Sequence, residues 1–147
     1  MAAGFEFEVQ GLEELEKDLT EAIRKCPVQA EKTLLKLAKK FKKSAKQRAE
    51  IELQPHEREG EQQGKAISDK WGHKKAGDNL GMAVLVYNSA RHFHLIENGH
   101  NLVKNGKTIG FVPGKHIMEK TRNEYQDIVP EEFQKMADDI LKEGGLD

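Results

Sequence analysis

Residues 84–116 read VLVYNSARHFHLIENGHNLVKNGKTIGFVPGKH, and the parsing of this stretch decides the fold. Its opening continues an apolar run from Met82 to Tyr87 that predicts a strand over 82–88. After Asn88 and Ser89 the apolar spacing shifts to threes and fours at Phe93 and Ile96. That spacing predicts a short helix capped by Ser89 and ended at Asn98 and Gly99, with Gly99 as a left-handed stop. Asn105 and Gly106 then form the dipeptide favoured in a type I′ turn, whose two central residues both need positive φ. They predict a hairpin with arms at 101–104 and 107–112. Pro113 and Gly114 turn the chain out of it and set the angle of a helix beginning near His116.

Working outward, Trp71 lies in a segment whose alternation predicts a partner strand at 67–75, joined to 82–88 by turn residues including Gly77, Asp78 and Gly81. Phe5, Phe7 and Val9 alternate with polar residues and predict a strand near 4–10. Apolar residues at helical spacing predict helices at 12–26, 28–53, 115–128 and 130–143, with Pro27 and Pro130 as breaks because proline removes a helix donor. PHEREGEQQG (55–64) has no aliphatic or aromatic residue, so a mobile loop is expected near 55–66, and the end of the chain beyond Gly144 is expected to fray. The fold class is α+β: one domain over 1–147, in which a small antiparallel sheet packs against long amphipathic helices. Phe111 and Val112 are expected to pack the hairpin onto Trp71 and those helices.

The composition is 37% hydrophobic and 33% charged, so the core is lean and much of each helix must face water or a partner. No apolar run is long enough to span a bilayer, and MAAGFEFEVQ has neither a basic flank nor an apolar signal core, so the chain is expected to be made in the cytoplasm without a membrane segment. Cys26 stands alone, which excludes an intrachain disulfide and a cysteine-based zinc finger. Net charge is −1, unlike that of a typical nucleic-acid binder, but its distribution is uneven. Lysines including Lys39, Lys40 and Lys43 crowd the second predicted helix, and acids including Glu131, Asp138 and Glu143 collect near the C-terminus. Such polarity suits head-to-tail contact between copies; a solvated face is the plainer reading. A nucleic-acid-associated module using the Lys-rich helix is an alternative. No aromatics interleave with these lysines as a stacking platform would require.

His92, His94, Glu97 and His100 raise the possibility of a metal-dependent hydrolase, a third reading. On a helix His92 and His94 diverge by about 200°, and His100 falls beyond the predicted helix end, so the four do not form a shared ligand set. There is no HExxH pair, strained Gly-x-Ser-x-Gly turn or phosphate-cradling glycine loop. The expectation is a non-enzymatic chain without metal or cofactor. Glu97 either bonds nearby backbone donors, neutralises His100 or Lys104, or is simply solvated.

The series VYNSARHFHLIENGH, the basic Asn-Gly hairpin and IGFVPGKHIMEKT together resemble the HK ninety-seven gene-product-ten-like family of tailed-phage minor structural proteins, the Bacillus prophage members above all. The opening FEFEVQGLEELEKDL and the Lys-rich helix extend the resemblance to nearly the whole chain. Its signature residues are Glu97, Gly99, His100, Asn105, Gly106, Phe111, Pro113, Gly114 and His116. The resemblance implies a virion component of the head–tail junction, in the neck or as a tail-completion protein. It implies self-assembly into a ring, contact with neighbouring head-completion and tail proteins, and at most non-specific contact with DNA. Lys39, Lys40 and Lys43 are the candidate assembly surface, with the acidic last helix as their counterpart.

Overall fold

The computed structural model describes residues 11–53, 67–77 and 83–145. The expected strand at 4–10, the loop near 55–66 and the last two residues lie outside them. In chain order the elements are α1 (Leu12–Glu52), a 3₁₀ turn (Ile67–Asp69), β1 (Trp71–Lys75) and β2 (Val84–Asn88). Then come α2 (Phe93–Asn98), β3 (Gly99–Lys104), β4 (Lys107–Pro113) and α3 (Ile117–Glu143). The α+β class holds, with long helices beside antiparallel strands.

The elements differ from expectation at the prolines and in the sheet. Pro27 and Pro130 do not divide the helices: each lies inside one continuous helix, α1 of 41 residues and α3 of 27. Both prolines are exposed, so the carbonyl that loses its helical partner can bond water, and the turns on either side carry the helix through. The strands form two separate two-stranded sheets instead of one. Period-two patterning identifies strands but does not specify which hairpin pairs with which. The strand expected at 67–75 begins only at Trp71, because Ile67–Asp69 is a 3₁₀ turn.

The chain divides into two compact units, residues 34–130 and the combination of 1–33 with 131–147. In the first, Ala49, Leu53, Ile67, Ala90, Phe93 and Ile117 form a buried cluster, with Trp71 and Ile96 packed against it. Trp71 meets Phe93 edge to face, with ring centroids 5.2 Å apart. Burying Leu53 and Ile117 stabilises the fold by about 1.5–3 kcal/mol each. Ile117, Thr121 and Tyr125 recur every fourth residue and form one buried stripe of α3. Opposite them on α1, Phe41 packs on the Tyr125 ring at 5.2 Å, and Ser44 Oγ lies 2.9 Å from the Tyr125 hydroxyl. Arg48 Nε donates to Thr121 Oγ1 at 3.3 Å, and the Thr121 hydroxyl donates to the Ile117 carbonyl, so this buried polar group is satisfied on both sides.

In the other unit Ala22 and Ile140 are buried, and Lys25 Nζ lies 3.9 Å from a Glu143 carboxylate oxygen. The Gly144 amide donates to Ile140, and Gly145 at φ +74° closes α3. Leu12, Leu15, Leu19 and Ile23 of α1 remain exposed.

Candidate assembly interface

Glu97 stands at the end of α2 but works at the start of α3. Its two carboxylate oxygens accept the Met118 and Glu119 amides at 2.9 and 3.0 Å. These amides are among the unpaired donors of a helix N-terminus, where a carboxylate also faces the positive end of the helix dipole. The backbone closes the same junction: the Lys115 amide donates to the Ile96 carbonyl at 2.7 Å, and that of His116 to Glu97 at 3.3 Å. His116 takes φ +52°, and its Nδ1 lies 3.0 Å from a Glu119 oxygen.

Gly99 has positive φ, but its ψ of 169° is extended; it is not a left-handed helix stop, because the chain passes straight into β3. A side chain there would meet the Val112 carbonyl at 2.6 Å and the Gly114 nitrogen at 2.8 Å, and one on Gly114 would run into the Glu97 carbonyl. Both glycines let two backbone segments meet where Gly99 pairs with Pro113. Ser89 does not cap α2. Its hydroxyl donates to Lys70, and α2 begins after His92 without a side-chain cap. Asn88 shapes the bend instead, accepting from the Ala90 amide and donating to the Ile67 carbonyl.

Asn105 and Gly106, at φ +52° and +76°, form the two-residue turn of the β3–β4 hairpin. A register shift between Leu102 and Val103 leaves Ile109 as an extra residue in β4. Every residue from Asn101 to Phe111 is exposed. Phe111 does not pack on Trp71: it is 62% exposed and its ring lies over Gly99. By strand alternation Val103, Ile109 and Phe111 share one face, so the hairpin presents an apolar surface to its surroundings. This surface was not foreseen from the sequence, because an apolar strand reads as core whether or not anything covers it.

Lys39, Lys40 and Lys43 are exposed on α1. Lys46 is held at 2.7 Å by Asp69. The hydrogen bond that Lys46 donates to Asp69, and then the Asp69 charge, raise the Lys46 pKa above the ordinary 10.5, so the pair stays ionised past the usual lysine range and weakens only as pH rises through that raised value. His92 and His94 are exposed, Glu97 is committed to α3, and His100 sits in β3 with its Nδ1 buried and unpartnered among the described residues. Among those residues no three His, Cys, Asp or Glu side chains are grouped to hold a metal ion. No described helix is long and apolar enough to cross a membrane.

No curated protein and no solved structure matches the chain. Residues 13–99 match the family described as "Bacteriophage HK97-gp10, putative tail-component". The match runs from the first turn of α1 to Gly99, which opens β3, so the hairpin and α3 lie outside it. Matched over more than half its length, the chain belongs to this family of bacteriophage tail components.

Proposed function

We propose that the protein is a subunit of the phage head–tail junction, in the neck or at tail completion, and acts by assembling with copies of itself into a ring. The observation that supports this reading is the division of charge along the chain. Residues 1–33 and 131–147 carry fourteen acidic and six basic side chains, whereas residues 34–130 carry eighteen basic and eleven acidic. A copy built this way attracts its neighbour through two different surfaces, and such heterologous contacts close into a ring when the rotation allows. The exposed Lys39, Lys40 and Lys43 are the basic surface in this reading, and the acidic last part of α3 is its counterpart.

Electron microscopy of particles made without this protein tests the reading directly. Separate heads and tails are expected; normal joined particles would sink it. Reversing Lys39, Lys40 and Lys43 to Glu together is expected to abolish assembly, and unchanged ring formation and infectivity would remove that surface from the proposal.

A further inference from the structure

We infer that the β3–β4 hairpin of one copy docks on the exposed apolar stripe of α1 in the next copy, a contact that deepens the ring reading and rests on it.

The stripe consists of Leu12, Leu15, Leu19 and Ile23, at three- and four-residue spacing on one side of α1. Their exposures run from 42% to 72%, so among the described residues the face is largely open. Among the described residues the hairpin offers another exposed apolar face, formed by Val103, Ile109 and Phe111 at 57%, 58% and 62% exposure. Exposed apolar surfaces of this kind mark interaction sites when they are contiguous and bordered by polar groups. The stripe spans roughly 16 Å along the helix axis. From the tip to the Asn101–Phe111 pair the hairpin runs roughly 13 Å, so the two faces match in length.

Charge selects the second copy as occupant. Residues 99–113 contain no acidic side chain, and Lys104 and Lys107 flank the turn. The stripe lies in the most acidic stretch of α1: Glu13 and Glu14 stand in its first turn, and Glu16 and Asp18 border the stripe on either side. Apolar face against apolar face, with a lysine-tipped turn against a carboxylate rim, gives a contact that is both attractive and oriented. Both halves belong to every copy and differ from each other, so the contact is heterologous and repeats around a ring.

The test uses disulfide trapping. In a Cys26→Ser background, one sample carries Leu19→Cys and another Ile109→Cys; the two are mixed at high concentration and oxidised. The expected product is a mixed dimer that joins an L19C copy to an I109C copy. Dimers formed only between two L19C copies or two I109C copies would show symmetric association and overturn the inference. Independently, Leu19→Asp, at an exposed position, is expected to weaken self-association at least about tenfold with unchanged helix content. Lys104→Glu is expected to weaken it and Glu16→Lys to restore it in the double variant. Self-association that ignores all three changes and forms no mixed dimer overturns the docking but leaves the ring intact. A protein that stays monomeric throughout overturns the docking, while the head–tail reading stands or falls on particles made without the protein.

Discussion

Glu97 shows how one side chain can tie two elements together. Its carboxylate satisfies two amides of a helix that begins twenty residues later, at Ile117. Glu97→Ala is expected to cost about 1–2 kcal/mol in urea unfolding, with Glu97→Gln intermediate because one amide oxygen still accepts. An unchanged midpoint for the alanine variant would contradict the capping role. Gly99 is constrained in a different way, by its φ of +83° and by the Val112 carbonyl where a side chain would stand. Gly99→Ala is therefore expected to lose about 1–3 kcal/mol by the same measurement. The Asn105-Gly106 turn was legible in the sequence because its chemistry is contained in two adjacent residues. The Glu97 cap was open among alternatives, since the donors it meets lie far along the chain and only the fold brings them close.

At the scale of elements, the sequence identified most of the described helices and strands by type but misjudged where some of them begin or break. The proline rule is local and treats Pro27 as an end, whereas long amphipathic turns on both sides hold α1 together across it. The proline should then be a tolerated cost. Pro27→Ala is expected to restore one helical bond and raise stability by up to about 3 kcal/mol, read by thermal unfolding followed by far-UV circular dichroism. A decrease would mean that the ring of Pro27 does something its exposed position does not suggest. The strand pattern failed in a related way. The Asn105-Gly106 turn finds β3 and β4, but neither it nor alternation can say whether their apolar face meets the core or lies open, and here Phe111 lies open.

Across the whole molecule, basic and acidic side chains nearly cancel in number while remaining separated along the sequence. That separation was visible from composition by segment; the exposed apolar surfaces that accompany it were not, because exposure is a property of the folded chain. Salt separates the two partners a basic surface can attract. Self-association that buries apolar area is expected to persist as salt rises from about 50 to 200 mM, whereas DNA binding through six or more phosphates would fall by roughly a thousandfold or more. Sedimentation and DNA titration over the same salt range make the comparison, and a steep loss of self-association would shift the weight from apolar contact to charge.

The closure around Glu97, Gly99, Pro113 and His116 also has a consequence for how such a chain can diversify. The polypeptide leaves the body at Gly99 and returns beside it at Pro113, with α2 and α3 already fastened to each other there. Everything between hangs from this closed stem. Residues 101–111 can therefore be exchanged for a hairpin of different length or chemistry with the helices undisturbed, and such a chimera is expected to keep its unfolding midpoint while changing what it attaches to. On the docking inferred above, exchange at this one narrow neck would put a different contact tip on an unchanged frame.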